Sequence, residues 1–157
     1  MKLKNTFLFF LIFHLLQLNG QISEEIDRVD SDSLLKILPE LTGTERIDIQ
    51  NHIAFDLSRD NPDTAIAISL ETKKISESIN YLKGMADAHL NLGITYLFLD
   101  SLKPSITHLL NSLQLYEKVD TCLGMGLVYV NLMNINLTSG RYERSIIYGK
   151  KAFKIYN

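Results

Sequence analysis

The 157-residue chain has no tryptophan, one cysteine and three prolines. A lone Cys122 can close no disulfide within the chain and cannot anchor a cysteine-rich metal site. So few prolines leave long stretches free to run as helix. A cationic excess is also missing: the formal net charge is −2, from 16 basic and 18 acidic residues. Nucleic-acid binding draws on clustered lysine and arginine, so that class of partner is not expected. There is no Gly-x-Ser-x-Gly, no phosphate-binding loop and no paired-carboxylate pattern. The chain is therefore expected to be no enzyme and to need no cofactor or metal. What it does have is apolar substance, 46% hydrophobic residues. That is enough to bury a core, in a length that suits one domain.

The strongest positive signal is internal repetition. Shifted by forty residues, Gly84 to Glu117 meets a weaker copy of itself. Gly84 falls on Gly124, Met85 on Met125, Asn91 on Asn131 and Leu92 on Leu132. Further along, Leu97 falls on Leu137, Ser105 on Ser145, Ile106 on Ile146 and Tyr116 on Tyr156. A fixed period in the range of about 20–50 residues marks a repeat architecture. Each copy reads as two helices. Leu92, Gly93 and Tyr96 recur at helical spacing, a break follows at Leu99-Asp100-Ser101, and Lys103-Pro104-Ser105 restarts a helix with proline in its first turn.

These residues resemble the tetratricopeptide repeat. Leu92-Gly93-x-x-Tyr96 is similar to the core of that family's first helix. Asp100-Ser101-Leu102 and Gly140-Arg141-Tyr142 match its turn, and Ser105, Ser112, Ser145 and Ala152 hold the small positions of its second helix. Met133 and Asn136 depart from the pattern in the last copy. The period exceeds the usual ~34 residues, as in the variant with a longer second helix. The resemblance covers about two-thirds of the chain. It implies an all-α fold, an α-solenoid of about three helix–turn–helix repeats, at about 45–83, 84–123 and 124–157.

Upstream, Met1 to Gly20 carries two lysines, an apolar run from Phe7 to Leu16 and a polar close. The run is about half of what a membrane-crossing helix needs, and the layout predicts a signal peptide ending near Gly20-Gln21. An uncleaved membrane anchor is the alternative. Without Lys2 and Lys4 the chain would hold 14 basic against 18 acidic residues. Between 21 and 44 a short amphipathic helix with Leu34, Leu35, Ile37, Leu38 and Leu41 is expected to cap the first repeat, with Thr42-Gly43-Thr44 as its exit loop. The first repeat is degenerate, with helices at Glu45 to Ser58 and Asp63 to Asn80. Its Ile53-Ala54-x-x-Leu57 fits best if the turn at Asn61-Pro62 is one residue shorter than in later copies. The third repeat is read as Leu123 to Thr138 and Arg141 to Asn157. Its last helix keeps an apolar pattern to Tyr156 with no closing cap. Repeat arrays usually carry such a cap, so the natural protein is expected to continue, or the chain to be a fragment.

Candidate binding residues follow from helical geometry. At 100° per residue, Leu92, Gly93, Tyr96 and His89 share one side, while Asn91 lies opposite with Asp87, Ile94 and Phe98. In stacked repeats of this kind the outer side of the first helix lines a concave groove. Side-chain amides there can pair with a bound peptide backbone; Asn91 and Asn131 recur at that position, and Asn51 joins them if the first turn keeps full length, otherwise falling one place earlier. The same amides could instead brace neighbouring helices. Leu90, Ile94, Leu97, Val130, Asn134 and Leu137 would complete a partly apolar groove suited to a helix or an extended apolar segment. His89 is read as packing rather than as a metal ligand. The expected role is protein or peptide binding outside the cytoplasm, with any membrane contact made through the leader or a downstream segment. Leaders followed by long-period repeats resemble the front ends of Bacteroidetes-type sensor histidine kinases and membrane-tethered regulators. A free-standing periplasmic scaffold is the alternative.

Overall fold

The computed structural model describes residues 31–119 and 123–157. The expected leader and Cys122 lie outside them. Two compact units divide the chain, Met1–Lys36 and Ile37–Asn157. Of the first, the described part is the start of a short helix, α1 (Ser31–Ile37). It stops where Pro39 disfavours helical geometry in the residue before it, and a 3-10 turn, Leu38–Glu40, follows.

The second unit holds six further helices in sequence: α2 (Gly43–Asp60), α3 (Pro62–Ser78), α4 (Leu82–Phe98), α5 (Leu102–Tyr116), α6 (Leu123–Thr138) and α7 (Tyr142–Tyr156). No strand occurs among the described residues. Consecutive helices pack on one another, α2 also packs along α4, and α4 touches α6 more sparsely. The Thr42-Gly43-Thr44 loop is shorter than expected because α2 begins at Gly43, whose φ of +62° suits a residue without a Cβ.

The forty-residue offset reappears in the backbone. At the end of α4, Asp100 takes a φ of 53°, Asp100 N–H donates to Leu97 O, and Ser101 N–H donates to Tyr96 O at 2.9 Å. Forty residues on, Gly140 takes a φ of 71°, Gly140 N–H donates to Leu137 O, and Arg141 N–H donates to Asn136 O at 2.8 Å. Such a left-handed residue closes the last turn by satisfying carbonyls the helix leaves free. The first turn is different. Asn61 alone separates α2 from α3, and its side chain caps α3 by accepting from Thr64 N–H at 3.4 Å. Buried Ile47, Ile53 and Ala54 then fall opposite buried Ala86, Leu92 and Gly93, a register in which Asn51 stands one place earlier than Asn91.

Within each hairpin, small residues bring the helices together. Ser105 Oγ donates to Gly93 O at 2.7 Å and Ser112 Oγ to Ala86 O at 2.8 Å. In the next copy Ser145 Oγ donates to Met133 O at 3.1 Å. A Cβ on Gly93 would lie 2.8 Å from the Leu109 side chain. At the matching positions the sizes are exchanged: Met133 replaces the glycine and Gly149 replaces the leucine, with 3.1 Å between a Gly149 Cβ and Met133 Sδ. Summed volume across the hairpin is thereby kept, which a close-packed interior demands. Leu92, Gly93 and the half-buried Tyr96 all face inward, as the repeat pattern requires.

Candidate functional site

The structure separates the expected groove residues into two groups. On α4, Leu90, Asn91 and Ile94 are interior. Leu90 and Ile94 are buried in the core with Val128, Leu132 and Ile135 of α6, and Leu97 packs against that cluster. Asn91 is 3% and Asn51 4% exposed, out of reach of a bound peptide. Asn91 Nδ2 donates to Asn51 O at 2.7 Å and more weakly to Asn51 Oδ1, while Asn51 Nδ2 donates to Gly84 O at 3.1 Å. These amides brace α2 against α4, so the groove assignment of Asn51, Asn91, Leu90, Ile94 and Leu97 is corrected. A burial pattern read from one helix does not reveal which neighbour covers its outer side.

Asp87 is half-buried and already engaged. Its carboxylate accepts from Lys83 Nζ at 2.8 Å and from Tyr116 Oη. Lys83 also reaches Asp48 at 3.3 Å, and Tyr81 Oη donates to Asp48 at 2.9 Å. Two carboxylates, one ammonium and two phenols thus form a chain across the α2–α4 junction. Burial, then Asp48, pushes the Tyr81 phenol up to about 12. Burial pulls the Lys83 ammonium down, but Asp87 and Asp48 outweigh it and hold its pKa above the ordinary lysine range. This network was not anticipated from the sequence. The signal was there, since Asp48 and Asp87 sit at matching positions of their repeats once the shorter first turn is allowed for.

His89 and His108 are brought together between α4 and α5, with Nδ1 atoms 2.9 Å apart and Tyr96 stacked on His108. One ring must donate and the other accept, so at least one stays neutral. Burial, His108 and Lys73 lower His89 to about 4, and burial with Lys73 lowers His108 as well. Among the described residues no group of three or more His, Cys, Asp or Glu could hold a metal ion. Their helices also include none long and apolar enough to cross a membrane.

The second group of expected residues is accessible. Along α6, Val130, Asn134 and Leu137 follow one another at i, i+4 and i+7, with half-buried Asn131 beside them. Asn134 is exposed and Leu137 is 50% exposed. Asn131 donates to Leu127 O of its own helix at 2.8 Å and braces no neighbour through that bond. Phe98, at the end of α4, is also exposed and carries the Arg59 guanidinium 5.5 Å above its ring. The row on α6 matches Leu90, Ile94 and Leu97 of α4, which α6 covers.

Compared with known protein families, with curated proteins and with solved structures, the chain has no match.

Proposed function

We propose that this chain is a protein- or peptide-binding scaffold, built of tetratricopeptide-like hairpins stacked as a short α-solenoid. In this reading it works outside the cytoplasm, as the sensory region of a membrane signalling protein. One observation carries the binding role. The row that α4 uses against the next hairpin has its counterpart on α6 in half-buried Val130 and exposed Asn134 and Leu137. Rows of alternating apolar and amide side chains on a rigid helix suit recognition of another chain better than they suit chemistry. The location rests on the leader-like layout of the first twenty residues, and the signalling role on the resemblance of the repeats to sensor front ends.

Photo-crosslinking in the producing cell tests the binding role. A benzophenone amino acid at Asn134 or Leu137 is expected to give discrete protein adducts, and one at the exposed Glu71 of α3 none. Equal labelling at all three positions, or none at 134 and 137, would refute it. Location is tested by fusing alkaline phosphatase after Leu41, which is active only outside the cytoplasm.

A further inference from the structure

The row on α6 continues onto α7, and the preceding hairpin shows what such a face holds. On α5, Ile106 and Leu113 pack against the core that contains Val128, Leu132 and Ile135 of α6, and Tyr116 is 1% exposed. A Cβ on Gly124, in the first turn of α6, would run into the Tyr116 ring. The α4–α5 hairpin therefore seats a helix with a glycine near its start and an apolar stripe behind it.

Forty residues on, the same positions of α7 are Ile146, Phe153 and Tyr156. They are 58%, 69% and 45% exposed. At 100° per residue Tyr142, Ile146 and Phe153 align within about 40° of one another along α7. Gly149, in the place of Leu109, faces Met133 of its own hairpin. The flank has changed too. Leu110 and Gln114 border the seat on α5, whereas Lys150 and Lys154 border it on α7. With Arg144, Lys151 and only Glu143 opposed, α7 carries a formal +3 in a chain whose net charge is −2. Lys150 and Lys154 are exposed and form no ion pair with the described residues.

We propose that the face formed by α6 and α7 docks an amphipathic helix of a partner protein, with a glycine in its first turn and glutamate or aspartate along its outer edge. This rests on the scaffold reading and names the partner that the scaffold takes. The internal α6 seat supplies the shape, and the two new lysines supply the charge preference. A second copy presenting the same face would oppose Lys150 and Lys154 to their own kind, which disfavours self-pairing.

The test uses the full chain and two synthetic helical peptides. Both carry Gly124, Met125, Val128, Leu132 and Ile135 at their own spacing, one with glutamate and one with lysine at the outward positions. Fluorescence anisotropy is expected to show saturable binding of the glutamate peptide, about tenfold tighter than the lysine peptide at low salt. Ile146→Asp with Phe153→Asp should abolish it while circular dichroism stays unchanged, because both side chains are exposed. Lys150→Glu with Lys154→Glu should reverse the preference. Failure of both peptides would overturn the inference, and equal affinity would overturn its charge component. A dimer in sedimentation equilibrium that Phe153→Asp dissolves would assign the face to a second copy instead. Flotation with phosphatidylglycerol vesicles that Phe153→Asp abolishes would assign it to a membrane. If the peptides fail while crosslinks at Asn134 persist, the scaffold stands and only the helix docking falls. Loss of both sinks the scaffold.

Discussion

The two junctions between successive hairpins are built differently. Between α2 and α4 the fit is directional: Asn91 reaches Asn51, Asn51 reaches Gly84, and Tyr81, Asp48, Lys83 and Asp87 tie the edge. Between the α4–α5 hairpin and α6 the described contacts are largely apolar, with Tyr116 against Gly124 and a core shared by Leu90, Ile94, Val128, Leu132 and Ile135. The third asparagine, Asn131, turns back on its own helix. Directional bonds fix one orientation, while apolar contact alone tolerates sliding. The first junction is therefore expected to be the stiffer of the two.

The largest expected effect comes from crowding the apolar junction. Gly124→Leu must displace the Tyr116 ring and should cost about 2–3 kcal/mol in urea unfolding. A cost near zero would show that the ring moves aside freely and that the seat is not specific. Next is the asparagine pair. Asn91→Ala strips a buried bond and leaves Asn51 Oδ1 short of a donor, for about 2 kcal/mol. Asn131→Ala should cost under about 0.5 kcal/mol, since its lost bond is local and alanine favours helix. Equal costs would erase the distinction between the junctions.

Smaller effects follow from titration. The Lys83 and Tyr81 pKa values are both raised in the folded chain. A raised group stabilises below its unfolded pKa and loses that contribution as pH climbs through the folded value. The first junction should thus weaken from about pH 10 toward the Tyr81 value of about 12. Tyr81→Phe should reduce the alkaline slope of a stability curve. The histidine pair works in the other direction. With His89 depressed to about 4, stability present above the ordinary histidine range of about 6.5 is lost as pH falls toward the folded value. His89→Gln is expected to flatten that acid limb.

Much of the helix layout was legible because its signals are local. The offset of forty placed α6 at 123–138, as found, and the Asn61-Pro62 cap and the Asp100 and Gly140 turns stand where their residue types demand. The inward side of Leu92 and Gly93 was legible as well. The site was only half so. A helical wheel says that Asn91 and Ile94 lie opposite Gly93, but α4 is covered on both sides by neighbours that its own sequence does not name. The exchange of Gly93 and Leu109 for Met133 and Gly149 was hidden for the same reason. Each residue alone reads as a departure from pattern, and only their contact shows the compensation.

Native-state hydrogen exchange, followed peptide by peptide in rising urea, tests the difference between the junctions most directly. The α6–α7 amides are expected to open as one unit at a lower free energy than α2 to α5, which should open together. Exchange of all six helices at a single free energy, or opening of α2–α3 before α6–α7, would contradict the account.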